Sequence, residues 1–208
     1  VAAMSIANFY GTQNTIVMQA KEETLQRLED LTTTIGALHE MTQGRVNSDM
    51  HTMQTESKKL GQASLDDSAM QDMTITNQVT KAKEDVKIPT LKFGDYATNG
   101  DYSFVDRIQK MVGGGTVTIF QVLPGKLLRV STNVLKLDGT RAVGTYIPSD
   151  SIVYKTVMNG DVYRGKAFVV NAWYLTAYFP VQDAQGKTVA VIYVGRKILN
   201  DQVRSILD

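Results

Sequence analysis

The chain has 208 residues, 43% of them hydrophobic, with 22 basic against 21 acidic side chains, a net charge of +1 and no cysteine. That length suits one medium domain or a domain with an appendage, and with no basic cluster longer than Lys58-Lys59 the charge leaves no nucleic-acid footprint. Disulfides, thiol nucleophiles and zinc–thiolate sites are excluded with the cysteines, and no apolar run reaches the roughly eighteen residues of a membrane span.

From Val1 to about Leu60 the residues are helix formers without proline, and apolar positions recur at threes and fours: Leu28, Leu31, Ile35 and Leu38, then Val46, Met50, Met53 and Leu60. The pattern predicts one long helix over 1–62; two or three helices broken near Gly44 and Gly61 are the alternative. About fifty helical residues span about 75 Å at 1.5 Å each, so such a helix projects or pairs with another. Its stripe is rich in Met and Thr and suits an adaptable helix–helix seam. Residues 62–88 are polar and helix-compatible, with Ser64-Leu65-Asp66-Asp67 as cap and first turn, and predict a second, shorter helix in a helical and loop connection over 63–112. Of the sixteen aromatic residues only Phe9 and Tyr10 fall in the first ninety positions, so this whole region reads as a stalk.

Punctuation changes at Pro89, Gly94 and Asn99-Gly100. A short helix over Phe104–Met111 and the triple glycine Gly113-Gly114-Gly115, a flexible hinge, lead into a β-rich module over 113–197. Five strands are predicted, at Thr116–Val122, Leu127–Val134, Lys166–Asn171, Trp173–Val181 and Thr188–Val194. The one long connection, Lys136 to Gly165, carries a helical pattern from Ser149 to Met158 closed by Asn159-Gly160. Two strands, a helical crossover and three strands make the order of a PAS-like antiparallel sheet, with the crossover over one face and a long helix free to dock on the other. The fold class expected is therefore α+β, a long N-terminal helix packed on a five-stranded antiparallel sheet with a helical crossover. Residues 198–208 read as a C-terminal helix without a stop signal, and both ends read as cut from a longer chain.

The strings TVTIFQ (Thr116 to Gln121), LRVSTNV (Leu128 to Val134), DGTRAVGTYI (Asp138 to Ile147), VYRGKAFVV (Val162 to Val170), WYLTAYFPVQD (Trp173 to Asp183) and AVIYVG (Ala190 to Gly195) resemble the single Cache domains of the extracytoplasmic sensor regions of bacterial methyl-accepting chemotaxis proteins. The resemblance covers about residues 86–195. It implies a membrane-anchored receptor outside the cytoplasmic membrane, in bacteria with two membranes the periplasm. It also implies a long first helix emerging from one transmembrane segment, a last strand leading into the next, a homodimer, a small-molecule ligand, and no cofactor. The same domain feeding a histidine kinase or nucleotide cyclase, or a module docking a periplasmic binding protein, are the rival readings.

A pocket for a small carboxylate needs a fixed cation, hydroxyl or amide donors and apolar walls. Alternation along the second strand puts Arg129, Ser131 and Asn133 on one face, and Arg129 is the candidate anion grip, since a guanidinium holds a carboxylate through two parallel hydrogen bonds. A surface ion pair of Arg129 with Asp183 or Asp161 is the alternative. Tyr146, Tyr154, Tyr163, Trp173, Tyr174 and Tyr178 supply rings with polar handles. On the fourth strand Trp173 and Tyr174 point to opposite faces, so only one set lines a given pocket. The candidate ligand-binding set is Arg129, Ser131, Tyr146, Tyr154, Tyr163, Lys166, Trp173 and Tyr174. Arg141 is a possible second cation or an anchor to Asp150, and Gly144 serves a turn needing an unusual backbone angle. His39 and His51, both in the stalk, have no carboxylate array at metal-ligand spacing, so neither metal hydrolysis nor triad chemistry is expected.

Overall fold

The computed structural model describes residues 2–170 and 172–198, with side chains from residue 13 onward. The first helix, α1 (Ala2–Leu60), runs through Gly36 and Gly44 without a break. It stops at Gly61, whose φ of 120° suits glycine, and a Cβ there would come within 2.8 Å of Gly94 Cα. The chain divides into two compact units, Val1–Met41 and Thr42–Asp208. In the first, Met18, Leu25, Leu28 and Ile35 are exposed along the helix. In the second, Val46, Met50 and Met53, spaced by four and three residues, are buried.

The predicted second helix does not form. Residues 63–93 instead fold as strands β1 (Ala63–Asn77) and β2 (Lys83–Phe93), paired antiparallel. Helix propensity lost to pairing: Ile88 and Thr90, then Leu91 and Phe93, are buried at the spacing of two that a strand gives, and Ile75 of the paired strand joins the same core. Pro89 sits opposite Met70, where the ladder shifts register between Asp66 and Met70, a position that spares it an amide bond. There follow β3 (Tyr96–Ala97), α2 (Ser103–Met111), β4 (Thr116–Leu123), β5 (Lys126–Thr132), β6 (Thr145–Pro148), α3 (Ile152–Met158), β7 (Tyr163–Val169), β8 (Ala172–Gln182) and β9 (Thr188–Lys197). Helix α3 begins at an N-cap, Ser151, whose hydroxyl accepts the Val153 amide. Residues 199–208 of the expected C-terminal helix lie outside the described residues.

Among the described residues one sheet of nine strands results, in the order β3-β2-β1-β6-β5-β4-β9-β8-β7, in place of the five expected. The five predicted strands are its contiguous block β5-β4-β9-β8-β7, every neighbouring pair antiparallel. The short strand β6 extends this block and joins the β1–β2 hairpin by a parallel pairing, so the whole sheet is mixed. Both faces are covered. On one, Val46, Met50 and Met53 of α1 and Phe104, Val105 and Ile108 of α2 share a core with Ile119, Leu128, Val130, Ile192 and Val194. On the other, the crossover residues Val134, Ala142, Ile147, Val153 and Val157 pack with Phe120, Leu127, Tyr178, Val191 and Tyr193.

Candidate functional site

Arg129 lies in the crossover layer and is almost fully buried, at 1% exposure. Its Nη1 donates to the Thr145 hydroxyl, which itself donates to the Ala142 carbonyl at 2.7 Å, so the crossover holds one arm of the guanidinium. The guanidinium stacks over Phe120 at 4.9 Å from the ring centroid. Its Nε makes no hydrogen bond to the protein, and among the described residues no carboxylate pairs with it. The surface pairing with Asp183 or Asp161 is thus not found, and the Asp183 carboxylate caps its own turn by accepting from the Gln185 and Lys187 amides. Burial pulls the Arg129 guanidinium below its ordinary value, while the nearby Tyr178 and Tyr193 phenols act the other way. A dry cation without a counter-ion is costly, and an anion is the group that offsets the cost.

Strand register supplies its neighbours. One row across the sheet reads Tyr163, Tyr178, Tyr193, Thr118 and Thr132 on β7, β8, β9, β4 and β5. The next reads Pro180, Val191, Phe120 and Arg129. A third carries Gly165, Thr176, Gly195 and Thr116. The Tyr178 and Tyr193 rings lie 4.7 Å apart, tilted by 49°, and Tyr163 meets Tyr178 edge-on at 5.8 Å. Burial pushes the Tyr178 and Tyr193 phenols up, with the Arg129 charge opposing the shift in part, so both remain neutral donors. Tyr163 and Tyr174, also raised by burial, complete the phenol group. The glycines make room for it: a Cβ on Gly195 would overlap the Tyr193 hydroxyl, which pairs with Thr116 Oγ1 at 2.9 Å. A hollow of about 420 Å³ opens at the margin of this layer, lined by Val122, Tyr154, Met158 and Thr188 among others.

Tyr154, Tyr163 and Tyr174 pack against the crossover-side core on the face that Arg129 shares, and four other predicted residues lie elsewhere. Ser131 is diverted by a β-bulge: Ile119 pairs with Ser131 and Phe120 with Arg129, leaving Val130 as the extra residue. Beyond it the alternation flips, the Ser131 hydroxyl donates to the Asp101 carbonyl at 2.6 Å, and Thr132 takes the Arg129 side with its hydroxyl 2.6 Å from that of Thr118. Tyr146 packs in the α1-side core beneath Lys126, 5.5 Å from its ring. Lys166 and Trp173 share the α1-side alternation of β7 and β8 with Leu175 and lie away from Arg129. Tyr193, Thr118, Thr132 and Thr145 complete the site without having been singled out. The signal for Tyr193 was there, a lone phenol alternating with apolar residues in a buried strand.

Arg141 is neither a second cation in the layer nor an anchor to Asp150. Its two Nη atoms each bond Asp106 at 2.8 Å, Nη1 also donates to the Thr132 carbonyl, and the group lies over Tyr102. Gly144 adopts a φ of 80° and donates its amide to the Arg129 carbonyl at 3.0 Å, the turn its sequence position required. A second guanidinium, Arg196 at the end of β9, grips Asp49 of α1 at 2.7 and 3.1 Å and the Val112 carbonyl at 2.7 Å. It follows Gly195 directly, so the phenol group and α1 are joined through Thr116, Gly195 and Arg196.

A family model for a Cache 3/Cache 2 fusion domain matches residues 10–208. The match takes in most of α1 and the β1–β2 hairpin, well beyond the stretch in which the sequence resemblance lies. No curated protein matches the chain significantly. Among the described residues no helix is long and apolar enough to cross a membrane.

Proposed function

Because the chain belongs to the Cache 3/Cache 2 fusion family, a family of extracellular sensor modules, we propose that it is the ligand-binding domain of a membrane-anchored chemoreceptor and reads a short organic carboxylate at Arg129. The observation that carries this reading is the buried guanidinium with an uncommitted Nε and no acidic partner among the described residues. A carboxylate binding on the Nε side meets a charge-assisted donor in a dry setting, with the hydroxyls of Thr118, Thr132, Tyr178 and Tyr193 within the same two rows. No bond is made or broken there.

The charge inventory narrows the class. Arg141 is committed to Asp106, and Lys166 lies on the other face, so among the described residues one cation serves the site and a monocarboxylate is favoured over a dicarboxylate. With no carboxylate beside Arg129 among the described residues to receive an ammonium, amino acids are disfavoured as well. Occupancy shifts Tyr193 against its seat on Thr116 and Gly195, and Arg196 passes that movement to Asp49 on α1. Ligand moves this balance only by its differential affinity for the two arrangements. In the full receptor the exposed stripe of Met18, Leu25, Leu28 and Ile35 meets its copy in a homodimer.

Thermal-shift screening of acetate, propionate, lactate, succinate and amino acids identifies the best ligand, because a binder raises the melting temperature as its concentration rises. Calorimetry on Arg129→Gln then tests the grip. Losing one side of a buried charge pair costs about 2–5 kcal/mol, at least about thirtyfold in affinity. Unchanged affinity in that variant refutes the assignment.

A further inference from the structure

The β7–β8 hairpin ends in an exposed aromatic pair that the Arg129 site does not use. Phe168 and Trp173 are paired across the two strands, stack edge-to-face at 5.7 Å, and are 53% and 57% exposed, unlike most aromatic rings of the sheet. Along the same face of β7, one alternation back is Lys166 and two back is Arg164, both exposed. Lys197 at the end of β9 and Ile198 just after it flank the pair, the Ile198 amide donating to the Trp173 carbonyl at 3.1 Å, and with Lys166, Ala172 and Trp173 they line a hollow of about 450 Å³.

At about 3.3 Å per strand residue, Lys166 lies about 7 Å and Arg164 about 13 Å behind the rings. The hairpin thus grades from an apolar tip to a basic shoulder, with no acidic side chain from Tyr163 to Trp173. We propose that this tip docks on an anionic lipid surface, the rings entering the boundary between headgroups and acyl chains while Arg164, Lys166 and Lys197 stay among the phosphates. Indole and phenyl rings favour that boundary, and long cationic side chains keep their charge in water while their stems lie on apolar surface. Charge complementarity selects the occupant, since Arg164 and Lys166 on a hairpin without an acid from Tyr163 to Trp173, with Lys197 beside it on β9, suit a negatively charged leaflet, each worth a severalfold gain in binding. Protein docking fits less well: two rings and flexible lysines fall far short of the roughly 800 Å² per partner that a stable interface buries.

Trp173 is the only tryptophan of the chain, so its fluorescence reports on this patch alone. Phosphatidylglycerol-containing vesicles at low salt are expected to shift its emission to shorter wavelength and to shield it from acrylamide, and phosphatidylcholine vesicles to do neither. Lys166→Gln is expected to weaken vesicle co-flotation about fivefold, Phe168→Ser to reduce it further, and 0.5 M salt to abolish it. An emission maximum and quenching left unchanged by anionic vesicles overturn the proposal. Shielding that instead appears without vesicles, as the chain itself is concentrated, also overturns it and makes the tip a contact between copies. Neither readout depends on a ligand at Arg129, so this proposal and the carboxylate reading fail separately.

Discussion

Arg129 carries two opposed demands, and substituting it separates them. A buried guanidinium with one side-chain hydrogen bond and one stacked ring destabilises the ligand-free fold relative to an apolar side chain of similar length, and replacing buried charge by such a chain is often neutral or stabilising by about 1–4 kcal/mol. Arg129→Met is therefore expected to unfold in urea at the same or higher midpoint than the parent while showing no thermal shift with any carboxylate. A large loss of stability would make Arg129 a structural residue instead. Gly195 is the complementary case. Its φ is unexceptional, so the obstacle to alanine there is steric: the Tyr193 hydroxyl first, with Thr116 Oγ1 beside it at 2.9 Å. Gly195→Ala is expected to cost about 1–3 kcal/mol by overpacking, and pairing it with Tyr193→Leu should recover part of that, the Thr116 hydroxyl keeping the rest; a midpoint unchanged by Gly195→Ala would show that the phenol has no fixed seat. Arg129 was legible from the strand pattern because charge inside an apolar alternation is conspicuous. Ser131 was misread because one extra residue at Val130 reverses the faces, and nothing in LRVSTNV marks a bulge.

Elements reveal the same limit at longer range. The five strands of the module and the crossover helix were legible because turns bound them and period-2 apolar residues fill them, whereas the β1–β2 hairpin looked helical until pairing with a distant segment decided it. Two features of these hairpins are testable. Asp66 sits at the β1 bulge, where Lys92 and Ser68 hydrogen-bond its carboxylate and lower it to about 2. A carboxyl whose folded value lies below its ordinary value of about 4 adds stability that is complete above that pH and lost as pH falls toward 2. Melting temperature is thus expected to decline through this window, with Asp66→Asn flattening the decline; an identical acid slope in the variant would assign it elsewhere. In the β7–β8 hairpin, Val170 follows the Val169–Ala172 pair with a φ of 57°, a conformation a β-branched residue resists. Val170→Asn relieves that strain and loses some packing, for an expected net gain of roughly 0.5–1 kcal/mol in denaturant unfolding. A net loss would mean that the contacts of Val170 outweigh its backbone.

For the molecule as a whole, the consequence of a mixed nine-stranded sheet is that its two faces do different work. The crossover face holds the buried cation and the phenols, while the α1 face holds the helix through Val46, Met50 and Met53. On the proposed function, a change on one face reaches the other only where a contact passes around the sheet, and Arg196 makes such a contact at the end of β9. Its side chain is 15% exposed and that of Asp49 9%, so the pair is nearly dry, and it also takes the Val112 carbonyl at the head of the triple glycine. Removing one partner of a nearly buried pair leaves the other uncompensated. Asp49→Ala alone is expected to cost about 2–4 kcal/mol, and Asp49→Leu with Arg196→Met together much less than the sum of the two single changes. Urea unfolding of the four-member cycle measures the coupling. A coupling energy below about 0.5 kcal/mol would show that β9 and α1 are held by apolar packing alone, and the path from Tyr193 through Gly195 to α1 would then have no mechanical link at its last step.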